Sequence, residues 1–348
     1  MTTAVLPQAY ERLHHAGPEW GENVLTNHGP MAVEVLVRRG HAARVTGWLD
    51  RYVGRLDELP AARAAVTDLN WREALGDERR IGDWTAYLTR EVTEQPWRDV
   101  LGRWWPRLLP GIVAGTTHGV IRVGHAVRAL LAGDESGPVL VELAHGLAFW
   151  AARFRSVPGG ATPGGRMSAS AALAAVPNLD VPHGSVAERL GRLPDLAGWT
   201  SGVAALRAPT GPEDARAILA DLVTAATLRY LRHGHGSPVL LVHTATAPNA
   251  VLHTLPALPP TLWSASLAAA WSASAAVSSA YGARQAADPA ELPAPTGGPD
   301  AVTDLLDWAV GHGDEHVIKF ADTAADVYQR TGDPEALAAA LRAGQLIR

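Results

Sequence analysis

The chain has 348 residues, of which 47% are apolar and 19% are charged, and its formal net charge is −5. This length allows one large domain or two ordinary ones. The negative charge, without a basic tract, argues against nucleic acid as a partner. The chain has no cysteine, which excludes disulfides, thiolate metal sites, iron–sulfur clusters and a cysteine nucleophile. The first residues lack the pattern of a signal peptide, so a cytoplasmic location is expected.

Apolar residues recur at helical spacing along most of the chain, and this periodicity predicts an all-α fold. In chain order, the predicted helices cover 31–48 with an interruption at 38–40, 71–88, 97–109, 119–131, 138–154, 214–232, 300–310, 315–330 and a last segment beginning near Pro334. Asp314 precedes one of these helices and has the residue type of an N-cap. We expect one large multi-helix domain over residues 1–348, with long loops and with C-terminal helices that form hairpins.

Two segments lack helical periodicity and are rich in Gly, Pro and Ala, so residues 157–166 and 286–299 are predicted to be flexible loops. The β-prone run 239–242 is either a short strand or the start of a helix. Residues 236–282 contain no Asp, Glu, Lys or Arg. Within them, 261–281 is long enough to span a bilayer, but its many Ser and Ala residues make insertion weak. We therefore expect a central helix that is buried by protein on all sides, and no membrane association.

Lys319 is the single lysine of the chain, whereas the other 29 of its 30 basic residues are arginines. An amine, unlike a guanidinium, can be desolvated, deprotonated and modified. Lys319 follows His316 by three residues, so both side chains are expected on one face of the predicted helix. The alternative interpretation is a surface lysine without a specific role.

Fourteen histidines are spread along the chain. Four of them are flanked by small or apolar residues and are expected to be buried: His28, His118, His243 and His316. Imidazole is the commonest metal ligand in proteins, and nitrogen-rich sites suit Fe, Zn, Cu or Ni. No short zinc signature is present, so a site would have to be assembled from distant segments. A single buried histidine is more often a core residue than a ligand.

A lysine can join a metal site in two ways. Burial can lower the pKa of its amine and expose the lone pair. Alternatively, the neutral amine can add carbon dioxide to form an anionic carbamate with carboxylate-like oxygens. Such a carbamate would give a four-histidine site the negative charge that it otherwise lacks.

Several stretches of the chain, in this order, resemble the questin oxidase-like family. They are 27–31 (Asn-His-Gly-Pro-Met), 71–76 with Trp84 and Tyr87, 110–122, the surroundings of His243, and 314–320. The resemblance covers nearly the whole chain. It implies a non-haem iron oxygenase that uses dioxygen to cleave a C–C bond or ring of a polycyclic aromatic polyketide, such as an anthraquinone, in secondary metabolism.

The resemblance also implies a ligand set for Fe(II) that includes a carbamate derived from carbon dioxide. The implied ligands are His28, His118, His243, His316 and carboxylated Lys319. His312 lies one turn before His316 and is the alternative ligand.

Further residues are expected to orient the ligands or to line the substrate pocket: Asn27, Arg122, Asp322 and Trp150. Arg122 departs from the family pattern, since some relatives have histidine at this position.

Two other functions stay open on the sequence. The first is a metal-free or NADPH-assisted Baeyer–Villiger-type monooxygenase, although no Gly-x-Gly-x-x-Gly motif indicates a dinucleotide site of its own. The second is a non-catalytic helical ligand-binding protein in which the histidines only pack. A zinc hydrolase fits less well, because catalytic zinc usually takes three protein ligands. The expected partner is a small aromatic polyketide, and nothing in the sequence indicates the oligomeric state.

Overall fold

The computed structural model describes residues 4–22, 24–180, 183–294 and 297–348, and its regular structure is almost entirely helical. This confirms the predicted all-α class. The helices are α1 (Val5–Leu13), α2 (Gly29–Arg38), α3 (Ala42–Tyr52), α4 (Trp71–Ala74), α5 (Ile81–Glu94), α6 (Trp97–Leu108), α7 (His118–Leu131), α8 (Gly137–Ala152), α9 (Ala169–Ala175), α10 (Val186–Gly191), α11 (Trp199–Ala204), α12 (Pro212–His233), α13 (Pro238–Leu241), α14 (His243–Thr254), α15 (Trp263–Tyr281), α16 (Ala301–His312), α17 (Glu315–Thr331) and α18 (Glu335–Leu346). Within the described residues, the only paired strands are β1 (Glu19–Trp20) and β2 (Leu25–Thr26), which are antiparallel.

The chain divides into two compact units. The first comprises residues 1–156 and 253–259, and the second comprises 157–252 and 260–348. Each unit has its own buried core. The expectation of one domain over the whole chain stays a prediction.

In the first unit, α8 packs against both α5 and α7. Helix α8 is apolar around most of its circumference, and residues on all its faces are buried, as expected for a central helix. Tryptophans fill the space beside it. The Trp84 and Trp104 rings meet edge to face at 5.4 Å, and the Trp105 and Trp150 rings do so at 5.3 Å. Such edge-to-face pairs add to the stabilisation from burial.

Two buried ion pairs connect the helices of this unit. Arg122 on α7 makes a bidentate contact with Glu142 on α8. Arg128, two turns further along α7, pairs with Glu34 on α2, which also accepts a hydrogen bond of 2.7 Å from the Nδ1 of His125. Buried charges of this kind are tolerated only when they are paired. They therefore fix how α2 and α8 pack against α7.

In the second unit, α12 packs against α9, α15 and α18, and α17 packs against α16 and α18. The chain reverses before α17 at Gly313 (φ +83°) and after it at Gly332 (φ +73°). Both glycines adopt the left-handed conformation that commonly ends a helix. Helices α16, α17 and α18 thus form consecutive hairpins, as the sequence predicted.

Helix α15 is buried along its C-terminal half, from Ala273 to Tyr281, but Ser264 and Ala265 near its start are exposed. The predicted burial on all sides is therefore correct only for the second half. None of the described helices has both the length and the apolar character needed to cross a membrane.

The prediction of one continuous helix over 71–88 is wrong. Residues 71–88 do not form one helix, because α4 ends at Ala74 and the chain turns at Gly76 (φ +79°) before α5. Asp77 stabilises this turn, since its side chain accepts a hydrogen bond from the backbone N–H of Arg79. The interruption expected at 38–40 is present, and Gly40 has φ +87°. The ambiguous run 239–242 falls mostly in the short helix α13, so its helical interpretation is correct.

The two segments predicted to be loops contain little regular structure. Residues 157–166 form no helix, and the described part of 286–299 contains one short 3₁₀ turn, Pro289–Glu291. Pro295 and Thr296 lie outside the described residues. The flexibility of both segments stays a prediction.

Candidate metal centre

Each of the four histidines singled out in the sequence stands at the start of a helix. His28 is the N-cap of α2, His118 and His243 are the first residues of α7 and α14, and His316 is the second residue of α17. The first three are buried, and 11% of the His316 side chain is exposed. The positive end of a helix dipole disfavours an imidazolium. These positions therefore favour neutral imidazole, which is the form that binds metals.

In the first unit, the Nε2 atoms of His28 and His118 are 2.8 Å apart, and the rings are nearly perpendicular at 89°. The Nδ1–H of His118 donates a hydrogen bond to the carbonyl of Gly115. This hydrogen bond assigns the proton of neutral His118 to Nδ1, which leaves Nε2 with its lone pair. Metal-binding histidines are commonly oriented in this way, by a hydrogen bond from the other ring nitrogen to a backbone carbonyl.

The backbone that leads into His118 is strained. Gly115, Thr116 and Thr117 are consecutive residues with left-handed φ angles of 51°, 56° and 72°. This conformation is rare for β-branched residues and costs on the order of 1–3 kcal/mol each. Thr117 is completely buried, so packing holds the turn. Strain of this kind collects at functional sites, and here it fixes the position of a candidate ligand.

In the second unit, His243 is also oriented by its backbone. Its Nδ1–H donates to the carbonyl of Leu240 at 3.1 Å. Burial lowers the pKa of His243 well below the ordinary value, and the nearby Lys319 and His316 lower it further. His243 is therefore neutral at physiological pH and can act as a ligand.

The start of α17 is organised by Asp314. Its Oδ1 accepts hydrogen bonds from the backbone N–H of His316 at 2.8 Å and of Val317 at 3.2 Å, which confirms the predicted N-cap. The same oxygen lies 3.4 Å from the Nδ1 of His316. One carboxylate thus caps the helix and orients the imidazole, and it thereby positions Lys319 one turn further on.

Lys319 is buried, with 2% of its surface exposed. Among the residues that the structure describes, its Nζ has no hydrogen-bond partner. Burial lowers the pKa of the amine to about 7, although the Glu315 and Asp314 carboxylates oppose the shift. A large share of the amine is therefore neutral near pH 7, and a buried polar group without a partner is costly. An amine with these properties is able to bind a ligand or to be modified.

Four ring nitrogens, one from each candidate histidine, all lie within 4.8 Å of one another and could hold a metal ion: His28, His118, His243 and His316. The separation of 2.8 Å within the His28–His118 pair is close to the ~3.0 Å expected for two nitrogens at right angles around a metal, with metal–nitrogen bonds of about 2.1 Å. The donor set therefore fits a metal. Imidazole nitrogens suit several transition metals, iron among them.

His312, the alternative ligand, is not part of this histidine group. Its side chain is exposed, and its Nε2 lies 3.2 Å from the carbonyls of both Gly344 and Ile347. His312 therefore connects the end of α16 to the end of α18.

Two of the residues expected beside the ligands have clear roles in their own unit. Asn27 donates to the carbonyl of Gly17 at 3.0 Å and accepts from the N–H of Gly29 at 3.0 Å. It therefore fixes the backbone on both sides of His28. Arg122, one turn after His118 on α7, is occupied by its buried pair with Glu142.

The other two are buried. Trp150 donates from Nε1 to the carbonyl of Gly111 at 3.0 Å, and it packs directly on Gly119, where an added Cβ would lie 2.8 Å from the Cβ of Trp150. Asp322 is buried one turn after Lys319 on α17. Contact of either residue with a substrate stays a prediction.

Sequence reasoning missed the buried carboxylates Glu34 and Glu142. Each is a lone acidic residue in an otherwise apolar helical run, Met-Ala-Val-Glu-Val-Leu at 31–36 and Val-Leu-Val-Glu-Leu-Ala at 139–144. A charge in such a run predicts a buried ion pair, because an unpaired buried carboxylate would destabilise the fold. This signal was available from the sequence.

No known family model matches the chain, and no curated protein matches it in sequence.

Proposed function

We propose that the chain is a non-haem iron-dependent oxygenase that cleaves a C–C bond or ring of a polycyclic aromatic polyketide. The observation that carries the proposal is the group of four histidine nitrogens within 4.8 Å. It is joined by the buried amine of Lys319, which has no hydrogen-bond partner among the described residues. The resemblance of the same residues to the questin oxidase-like family supports iron as the metal and an anthraquinone-like compound as the substrate.

In this proposal, His28, His118, His243 and His316 hold Fe(II) through neutral imidazoles. Bound iron would supply the electron transfer that lets dioxygen react with an electron-rich aromatic ring. The carbonyl of Gly115, the carbonyl of Leu240 and the carboxylate of Asp314 orient three of the four rings. This orientation reduces the reorganisation needed for binding.

Lys319 completes the ligand set as a carbamate. Its neutral amine attacks carbon dioxide, an N–C bond forms, and the nitrogen releases one proton. The lowered pKa of Lys319 favours this reaction, because only the unprotonated amine has a lone pair. The product is an anion, which offsets the positive charge of the metal and of the helix starts that carry the histidines.

Metal content tests the proposal. We expect about one iron per chain in untagged protein purified without oxygen and measured by mass spectrometry. Lys319→Ala and His316→Ala should lose the iron, whereas His312→Ala, the matched control four residues earlier, should keep it. Full iron content in Lys319→Ala would exclude the lysine from the site. Full iron content in His316→Ala, with loss of iron in His312→Ala, would identify His312 as the ligand in place of His316.

Activity is tested with a hydroxyanthraquinone, its reduced form, and isotopically labelled dioxygen. We expect a ring-opened product that has gained oxygen from dioxygen, and none with the iron-free Lys319→Ala protein. An active preparation without metal would favour the cofactor-free or NADPH-assisted monooxygenase. Absence of both metal and oxygen uptake would favour a ligand-binding protein.

A further inference from the structure

The second unit contains a cavity of about 400 Å³ along one face of α12, and none of the candidate metal ligands lines it. Apolar side chains from α9 and α12, including Leu173 and Leu228, form part of its wall. Three basic residues near the end of α12 form another part: Arg229, Arg232 and His233. Their spacing of three and four residues places them on one side of the helix.

Arg229 differs from the other two basic residues of this wall in its surroundings. Arg232 lies 3.3 Å from Glu335, and His233 lies 3.0 Å from the carbonyl of Ala283. Within the described ranges, Arg229 has no carboxylate or hydrogen-bond partner. Burial alone lowers its pKa. A half-buried guanidinium without a partner is unfavourable, and an anion in the cavity would relieve this cost.

The carboxylates that line the cavity do not meet this need. Glu335 is already paired with Arg232. Asp221 lies eight residues before Arg229 on the same helix, which corresponds to about 12 Å along its axis, and its side chain is exposed. The end of the cavity near Arg229 therefore carries an excess of positive charge beside an apolar wall.

We propose that this cavity binds a small organic anion, a carboxylate or a phosphate monoester with an apolar body, and that Arg229 is its anchor. The planar guanidinium can contact two oxygens of either group at once. A volume of about 400 Å³ lies within the usual range of small-molecule sites, roughly 300–1,000 Å³. The inference goes beyond the proposed iron chemistry, since it concerns a separate set of residues.

Calorimetric titration with benzoate, phenyl phosphate and neutral benzyl alcohol tests the proposal on the full chain. These probes share a phenyl body and differ in the group that would meet Arg229. We expect at least one anion to bind about tenfold or more tightly than benzyl alcohol, and the tighter anion identifies the preferred group. Arg229→Gln should remove most of this preference. Arg216→Gln is the matched control. Arg216 lies on the same helix, its side chain is exposed, and it is 3.9 Å from the carboxylate of Glu213. It does not line the cavity.

Two results would overturn the proposal: anions that bind no better than benzyl alcohol, or anion binding that is unchanged in Arg229→Gln. If that variant does not fold, Ala174→Trp replaces it. Ala174 lines the cavity and is exposed, so tryptophan there should block entry without changing any charge, and unchanged anion binding would again exclude the cavity. Iron content should be normal in all these variants, which separates this test from that of the oxygenase.

Discussion

The Nε2 atoms of His28 and His118 face each other at 2.8 Å, although the two residues are 90 positions apart in the chain. Two neutral imidazoles that direct these nitrogens at each other need a proton or a cation between them. The hydrogen bond from the Nδ1 of His118 to the carbonyl of Gly115 places the proton of that ring on Nδ1, so the Nε2 that faces His28 carries a lone pair. The strained turn at Thr116 and Thr117 maintains this arrangement, which is consistent with a binding role for the pair.

Lys319→Met should have opposite effects on stability with and without metal. The lowering of the Lys319 pKa from 10.5 to about 7 corresponds to roughly 5 kcal/mol of destabilisation as an upper limit. This penalty is fully present below pH 7 and falls as the pH rises towards 10.5, because the unfolded chain binds the proton more tightly in that interval. At pH 6 and with a chelator, Lys319→Met should therefore be more stable than the wild type by several kcal/mol.

With iron supplied, the wild type should gain stability from the bound ion and the variant should not. Urea unfolding with and without chelator measures both effects. Arg330→Met is the control on the same helix, and its effect should not depend on metal. An equal effect of Lys319→Met in both conditions would separate Lys319 from the ion.

Asp314→Ala should destabilise the protein by about 1 kcal/mol, because it removes the side-chain cap of α17. Asp300 occupies the N-cap position of α16 but makes no side-chain hydrogen bond there. Asp300→Ala should therefore change the free energy of unfolding by less than about 0.5 kcal/mol. Chemical denaturation of both variants makes the comparison.

The same two variants test the role of Asp314 in positioning His316. Asp314→Ala should also weaken metal binding, whereas Asp300→Ala should not. Equal metal affinities in the two proteins would leave Asp314 with a capping role only.

Gly119→Ala should destabilise the first unit by about 1–3 kcal/mol. An added Cβ would lie 2.8 Å from the Cβ and 2.9 Å from the Cα of Trp150, so α7 and α8 would have to separate next to His118. Gly102, within α6, has no atom within 4 Å of an added Cβ. Gly102→Ala should therefore stabilise the protein by roughly 0.5–1 kcal/mol through helix propensity alone. Opposite shifts in melting temperature would support this account of the helix contact.

Acid should destabilise the protein through the two buried glutamates. Burial by itself raises the pKa of Glu142, but Arg122 and His14 lower it to about 2. Burial likewise raises the pKa of Glu34, and Arg128 and His125 lower it to about 2. Because both folded-state values are below the ordinary 4.5, each glutamate contributes stability above pH 4.5 that is lost as the pH falls towards 2. The loss is about 3 kcal/mol per group.

Urea unfolding between pH 6 and pH 3 measures this slope. His145 contributes in the same direction, since burial lowers its pKa to about 3 and folding opposes its protonation below pH 6.5. Glu142→Gln should flatten the curve but leave Arg122 unpaired, at a cost of about 3–5 kcal/mol. The double variant Arg122→Met, Glu142→Leu should recover most of that loss. A pH slope that is unchanged in both variants would contradict the assignment.

Local sequence patterns determined the helical class and most helix positions. The apolar spacing of 97–109 and 119–131 corresponds closely to α6 and α7. Amphipathic periodicity is a property of the local sequence, and the apolar face that it creates is the face that becomes buried. The pattern could not show the break at Gly76, where a left-handed turn interrupts an otherwise continuous run. Short helices such as α9 were also missed, since they depend on packing more than on their own propensity.

For the candidate site, the sequence by itself determined which residues have the right chemistry: a single lysine, and four histidines in apolar surroundings. The tertiary structure decided that four nitrogens converge and that His312 lies elsewhere. It also decided that the amine of Lys319 is buried, without a hydrogen-bond partner in the part of the chain that the structure describes. The sequence could not supply these facts, because convergence of residues separated by up to 288 positions depends on how helices pack, and a pKa depends on the burial that packing creates.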